Sequence, residues 1–275
     1  MDPTDKASFI WVEDQGIPDF QATEEQQEIP NTDSRHGTSR TKATQRWVMQ
    51  VPVSKEAFKA DQVGKRAAIG TGIGQAARRT QTRRAMVETY GDGIAGSFNT
   101  MPHDLQPAAS NSHTTISGNS ADNLETGSLT PDNLWTLVTS LANQRGQHGD
   151  SGSQVFEGIL VPFTLFRAAK EIMNSVLVAN SGENNINVFD TDYGMVRIGA
   201  SVFLGSTWNS AANANTSYHI VSRNHQFTRK VFYDLETKLI PPENTANHSY
   251  IMRALYSEAV MPATWTGYAA SNGTT

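Results

Sequence analysis

The sequence predicts an α+β chain in which long extended segments and one long helix surround a compact central part. Three observations carry that prediction. Residues 46–53 alternate in polarity and run straight into Ser54, the pattern of a strand feeding a helix. Two amphipathic helical stretches flank a short apolar strand near residue 160. Residues 227–261 read as two long strands joined at Pro241-Pro242-Glu243-Asn244.

The chain opens on one apolar patch, Phe9-Ile10-Trp11-Val12, which reads as a strand or a docking arm. A polar stretch follows to about residue 45. It is acidic first (Glu24, Glu25, Glu28) and basic later (Arg35, Arg40, Lys42, Arg46). Turn chemistry at Pro30-Asn31-Thr32-Asp33-Ser34 separates the halves. This composition suits a long hairpin without a core of its own, or a disordered linker. In the strand that follows, Trp47, Met49, Val51 and Val53 share one face. Ser54 is placed as an N-cap, with Glu56 in the first helical turn. Helical composition runs to Tyr90, with a break near Gln62–Gly64, and Gly91 and Gly93 are expected to end it. Such a helix is about 40 Å long. Ile69, Ile73, Ala76, Ala77 and Thr80 form only a narrow stripe, which predicts a helix lying across a surface.

Residues 96–129 are rich in Asn, Ser, Thr and Gly and read as loop. Thr130-Pro131-Asp132 then marks a helix start, with Leu134, Leu137, Val138 and Leu141 as its buried stripe. A loop runs to residue 154, and Ile159-Leu160-Val161 reads as a buried strand. Leu165, Ala168, Ala169, Ile172, Met173 and Val176 form the apolar face of the second helix. After a polar loop at 180–187, Val196, Ile198, Ala200 and Val202 alternate as a strand, and Tyr218–Val221 is another. On the long strand from Phe227 to Ile240, Phe227, Val231, Tyr233 and Leu235 share a face with Arg229. Tyr250–Met261 returns beside it, and the polar tail from Ser271 is expected to fray.

The 275 residues suffice for one large domain or two small ones. A 37% hydrophobic content and a mean hydropathy of -0.45 point to much solvated or partner-facing surface. The formal charge of -5 and pI near 5.8 lack the basic excess of tight nucleic-acid binders. The absence of cysteine excludes disulfides, thiolate metal sites and a cysteine nucleophile. No apolar run reaches the roughly 20 residues of a membrane helix, and the polar N-terminus has no signal pattern. Cytoplasmic synthesis and no membrane partner are therefore expected.

Gly72-Ile73-Gly74-Gln75-Ala76-Ala77 matches the G-x-G-x-x-A dinucleotide pattern. That chemistry needs a buried strand before the glycines, and Lys65 and Arg66 directly precede Ala67-Ala68-Ile69 instead. The preferred reading is small residues that allow close helix packing; the other is a nucleotide-dependent enzyme. His36, His103, His113, His148, His219, His225 and His248 lack metal-ligand spacing and read as ordinary surface or loop histidines. Ser117-Gly118-Asn119-Ser120 and Asp150-Ser151-Gly152-Ser153 do not form a nucleophile elbow and read as loops. No catalytic residue, cofactor or metal is expected.

Four stretches carry a family resemblance. Arg46-Trp47-Val48-Met49-Gln50-Val51-Pro52-Val53-Ser54-Lys55-Glu56-Ala57-Phe58 resembles a strand leading from an extended loop into a spine helix. Gly72–Arg79 is similar to the small-residue and arginine part of that spine. Leu129-Thr130-Pro131-Asp132-Asn133-Leu134, then Gly158-Ile159-Leu160-Val161-Pro162, resemble its helix, strand and proline-marked second helix. Thr264-Trp265-Thr266-Gly267-Tyr268 is similar to its closing aromatic-glycine segment. In this order the elements resemble the major capsid proteins of tailed bacteriophages, the HK97-fold family, over about residues 9–268.

The resemblance implies an N-terminal arm (1–14), an extended β-hairpin loop (15–50), a peripheral domain with the spine helix (51–102 and 226–268), an axial domain (103–225) and a C-terminal tail (269–275). It implies assembly through pentamers and hexamers into an icosahedral head enclosing double-stranded DNA, with the subunit located in the virion. Scaffolding, portal and decoration proteins are the further partners, and DNA contact lacks sequence specificity. The family's long removable N-terminal segment has no counterpart here, so a separate scaffold or a mature form is expected. An encapsulin-like compartment is the alternative within the fold. Cross-linking through Lys42 is a minor branch of the family's chemistry.

Expected inter-subunit contacts are Phe9, Trp11, Arg40, Lys42 and Trp47. Arg78, Arg79, Arg83 and Arg84 concentrate positive charge on the spine. They read as contacts with packaged DNA or with acidic loops of neighbours, or as a solvated helix face with local pairs; the preferred expectation is that these arginines, Arg83 and Arg84 among them, pair with Glu24, Glu25 and Glu28 of another subunit.

Overall fold

The computed structural model describes residues 8–14, 36–60, 64–97, 99–147, 149, 152, 154–176, 187–192, 196–211, 213–241 and 249–274. The tip at 30–34, the turn at 242–244, most of the 180–187 loop and Glu24, Glu25 and Glu28 lie outside the described residues.

The chain begins with strands β1 (Ser8–Asp14) and β2 (His36–Ala43), which pair as a two-stranded sheet. The strand β3 (Gln45–Ser54) runs directly into helix α1 (Lys55–Lys59). Ser54 caps that helix as expected, its Oγ accepting from Ala57 N at 3.2 Å. Helix α2 (Lys65–Arg84) follows, continued by a π-helical turn (Ala85–Gly91) and α3 (Asp92–Ala95).

The expected stop at Gly91 and Gly93 is therefore corrected: the helix ends at Gly96, which takes the left-handed C-cap conformation at φ 66°. Gly93 serves close approach instead, since a Cβ there would lie 2.5 Å from Tyr268 Oη.

Two compact units emerge. One comprises 1–10, 41–85 and 229–260. Its three-stranded sheet has the order β10-β11-β3, where β10 is Phe227–Ile240 and β11 is Ser249–Pro262. The strands β11 and β3 are antiparallel, with Tyr256 opposite Trp47 and Ala254 opposite Met49. Pro52 is tolerated because β3 is an edge strand. Among the α2 side chains, Ile73 and Ala77 are buried.

The other unit comprises 11–40, 86–228 and 261–275. It contains the short strands β4 (His113–Thr114), β5 (Ser120–Ala121) and β6 (Leu124–Glu125), then helix α4 (Pro131–Ala142). Next come β7 (Phe156–Pro162), α5 (Phe166–Asn174), α6 (Val188–Asp192), β8 (Arg197–Ser201), β9 (Tyr218–Ser222) and β12 (Tyr268–Ser271). A five-stranded sheet has the order β6-β12-β9-β7-β8. The pairs β7/β8 and β12/β6 are parallel, and β9 runs antiparallel to both β7 and β12.

Thr130 caps α4 through Asn133 N at 3.2 Å, and Leu134, Leu137, Val138 and Leu141 are all buried as expected. They pack with Phe156, Ile159, Val161, Ala169, Ile172, Met173, Tyr218 and Ile220 in one apolar cluster.

Three local expectations change. Val176 and Val202 lie beyond the ends of α5 and β8 and are 69% and 54% exposed. The tail does not fray: Ser271 closes a strand, and Asn272 N donates to Glu125 O at 3.1 Å. The 96–129 segment, although poor in regular structure, supplies Met101, Ala108 and Ala109 to a second cluster around Trp265 and Tyr268. Asn123 holds it in place. Its Nδ2 donates to Ala108 O (2.8 Å) and Tyr268 O (3.0 Å), and its Oδ1 accepts from Ser110 N (2.8 Å). Side-chain amides thus replace the ladder bonds this buried backbone lacks.

Candidate assembly interface

The three-stranded sheet and α2 hold three of the ten residues singled out for inter-subunit contact, Trp47, Arg83 and Arg84. Trp47 stacks on Tyr256 across β3 and β11, with centroids 6.5 Å apart and planes at 15°. The Arg84 guanidinium lies 5.0 Å from the Trp47 ring centroid. Its Nη1 donates to Glu258 Oε1 at 3.2 Å, and Arg229 Nε donates to Glu258 Oε2 at 2.5 Å. Arg84 and Glu258 are 3% and 0% exposed. Arg84 therefore finds a carboxylate within the chain, whereas Glu24, Glu25 and Glu28, its expected partners from another subunit, lie outside the described residues. The physical reason is burial: a guanidinium taken out of water needs a fixed partner beside it.

Sequence reasoning missed Glu258 and Arg229 as a pair. The signal was present, because Glu258 interrupts the apolar run of β11 and Arg229 falls on the apolar face of β10.

Arg83 lies half-buried beside a groove between α2 and the sheet. Lys42 Nζ donates to Val260 O at 2.9 Å. Phe9 faces Lys230, whose Nζ lies 5.9 Å from the ring centroid and donates to Ile10 O at 2.7 Å. In the other unit, Trp11 is 2% exposed and its Nε1 donates to Thr228 Oγ1 at 2.8 Å. Arg40 Nη1 donates to the Thr100 carbonyl and, at 3.0 Å, to Thr100 Oγ1. Trp47, Arg83 and Arg84 thus share one unit with Lys42 and Phe9, whereas Trp11 and Arg40 belong to the other. Several large apolar side chains face solvent in the first unit: Val48, Met49, Phe232, Leu235 and Leu239, each between 37% and 55% exposed.

The enzyme-like motifs resolve differently. Gly72 and Gly74 lie inside α2, away from any strand-to-helix turn, so the dinucleotide geometry is missing. Among the described residues an added Cβ at Gly72 or Gly74 meets nothing within 4 Å, so close packing within the chain does not account for these two glycines; Ala77 is the small residue of the motif that is buried.

Two histidines are core groups, which corrects their reading as surface or loop residues. His113 stacks on Trp265 at 4.9 Å, and its Nδ1 lies 2.6 Å from Asp104 Oδ2. His219 is enclosed, with Nδ1 2.8 Å from Tyr268 Oη, and burial lowers its pKa to about 3. It is held neutral and behaves as a packing group with one fixed hydrogen bond. Among the described residues, no group of His, Asp or Glu is arranged to hold a metal ion. Among them, no helix is long and apolar enough to cross a membrane.

No family model matches the chain, and no curated protein matches it in sequence. Solved structures do. The capsid of an empty GTA particle aligns over 99% of this chain and 86% of its own, with a TM-score of 0.63 and 9% identity. The mature capsid of bacteriophage PhiM1 aligns over 96% and 81%, with a TM-score of 0.56 and 14% identity. The structure from Mycobacterium phage Bobi aligns over 96% and 84%, with a TM-score of 0.55 and 15% identity. The mixed α and β fold is thus that of phage capsid subunits, from the first strand to the last. Identity this low establishes the fold alone, and function must be argued from the residues.

Proposed function

We propose that this chain is the major capsid protein of a tailed bacteriophage, with an HK97-like fold. It assembles through pentamers and hexamers into an icosahedral head that encloses double-stranded DNA. The observation that carries the reading is the match of nearly the entire chain to capsid subunits. Residues 1–14 serve as the arm, 15–50 as the extended loop, 51–102 and 226–268 as the peripheral domain around the spine helix. Residues 103–225 serve as the axial domain and 269–275 as the tail.

The mechanism is burial of apolar surface between many copies, repeated by closed symmetry until individually weak contacts make a stable shell. The exposed apolar side chains of the three-stranded sheet suit that role. Phe9, Arg40, Lys42, Trp47 and Arg83 are the proposed contact residues. Scaffolding, portal and decoration proteins are the proposed accessory partners, and the virion is the proposed location.

The test is light scattering after size exclusion of the expressed full chain. Rings of five or six copies, or closed particles, are expected. A monomer at every concentration and salt would leave only a subunit that awaits its scaffold and would move weight to the nucleotide-dependent enzyme.

A further inference from the structure

We propose that the groove between α2 and the three-stranded sheet binds a small aromatic carboxylate, of the size of benzoate, as a free ligand. The inference does not rest on the assembly reading, because the residues that line the groove belong to one unit of one chain. The groove has a volume of about 170 Å³. An apolar cavity of about 150 Å³ accommodates benzene, so the space fits a single ring. Trp47 and Tyr256 line it with aromatic rings, and Ile73, Ala76 and Ala77 line it with apolar side chains small enough to leave that room. Met49 and Leu235 also line it and are 41% and 37% exposed, so a ligand can enter from solvent.

Hydrogen bonding defines the polar end of the ligand. The Nε1 of Trp47 can only donate. It is buried and finds no acceptor among the described residues. Tyr256 is 5% exposed, and its hydroxyl is buried without a hydrogen-bond partner among them. Thr80, whose hydroxyl bears on Tyr256, donates to Ala76 O at 2.9 Å and makes no hydrogen bond of normal geometry with the tyrosine. Burial first, and Glu258 next, push the Tyr256 pKa up, so the hydroxyl keeps its proton and can donate. A buried donor left unpaired costs about 1–3 kcal/mol, and an acceptor brought by the ligand removes that cost.

Charge makes that acceptor an anion. Among the described residues that line the groove, Arg83 is charged and none is acidic. Beside Trp47, the Arg84 and Arg229 guanidiniums share the single carboxylate of Glu258. These four groups sum to a positive charge, which a carboxylate complements while it accepts from N–H and O–H donors. A neutral apolar side chain would fill the volume but leave the donors unpaired. An anion without a ring would leave the apolar lining wet. A ring that carries a carboxylate satisfies both parts of the groove.

The test is a ligand-observed NMR titration of the full-length chain with benzoate, for which saturable binding is expected. Benzyl alcohol keeps the ring without the charge, and N-acetyl-phenylalanine amide mimics the side chain of a protein partner. Each is expected to bind more weakly than benzoate by about fivefold or more. Arg83→Gln should weaken benzoate by about fivefold or more and leave benzyl alcohol unchanged. Ala76→Phe fills the groove without altering charge and should abolish benzoate binding. If circular dichroism shows that variant misfolded, nuclear Overhauser contacts between the benzoate ring and the methyl groups of Ile73 and Ala77 in the wild-type chain decide, and they are expected to be present. No saturable binding to the wild-type chain, binding of the peptide mimic equal to that of benzoate, or full benzoate binding by a folded Ala76→Phe chain would overturn the proposal. These readouts do not depend on particle formation, so their failure leaves the assembly proposal standing, and failure to assemble leaves this one standing.

Discussion

In the unit built on the five-stranded sheet, Leu134, Leu137, Leu141, Ile159, Met173 and Ile220 are almost completely buried, and a second cluster closes around Trp265 and Tyr268. In the unit built on β10, β11 and β3, Phe232, Leu235, Leu239, Val48 and Met49 stay exposed, and the interior holds Arg84 and Glu258. The first is stabilised by its own apolar packing. Both units leave large apolar side chains exposed, Leu105, Val155 and Phe163 among them in the first, but the second has a thin apolar interior held by an ion pair. Under the proposed assembly, that difference is expected where one unit folds by itself and the interior of the other is completed by neighbouring copies.

Replacing Glu258 should separate the two units most sharply. Glu258→Ala leaves Arg84 buried without its carboxylate and is expected to cost about 3–5 kcal/mol. The loss should appear in urea unfolding followed by hydrogen exchange, confined to the three-stranded sheet and α2. Equal loss in both units would erase the distinction. The counterpart is Leu137→Ala in the apolar cluster of the other unit, expected to cost about 2–5 kcal/mol there. A negligible change in urea midpoint would mean that cluster is not the core described.

The next effect depends on pH. His219 is neutral when folded, with a pKa near 3 against an ordinary value of 6.5. Below pH 6.5 the unfolded chain takes up a proton that the folded chain refuses, so stability falls as pH falls from 6.5 toward 3. Going from pH 7 to pH 5 should cost about 2 kcal/mol. His219→Gln should lack that loss in urea titrations at the two pH values, and an identical pH slope would show that His219 does not control it.

The smallest effect has the opposite sign. Gly72 sits in a helix with open space at its Cβ, so Gly72→Ala should stabilise the free subunit by about 0.5–1 kcal/mol. Destabilisation would reveal a close approach at that position.

Much of the fold was legible in the sequence, for identifiable reasons. Thr130-Pro131-Asp132 announced α4 because capping is local chemistry, and the α4 stripe was read because 3.6-residue periodicity survives any tertiary context. The long strands β10 and β11 were readable from alternation and length. The 96–129 segment was misread as plain loop, because its order comes from the side-chain amide of Asn123 bonding to residues distant in sequence. The helix end was misread at Gly91 and Gly93, because a glycine needed for close approach looks the same in sequence as one that caps. In the candidate interface, Trp47 and Arg84 were recognised as important. Their alliance with Tyr256, Glu258 and Arg229 depends on strand register, which no local pattern specifies.

The most direct measurement is amide hydrogen exchange on the free subunit and on assembled particles. The account predicts slow exchange in β7, β9 and β12 in both states. In β3, β10 and α2 it predicts exchange that slows on assembly. Full protection of the three-stranded sheet in the free subunit, unchanged in the particle, would contradict the claim that neighbours complete this unit.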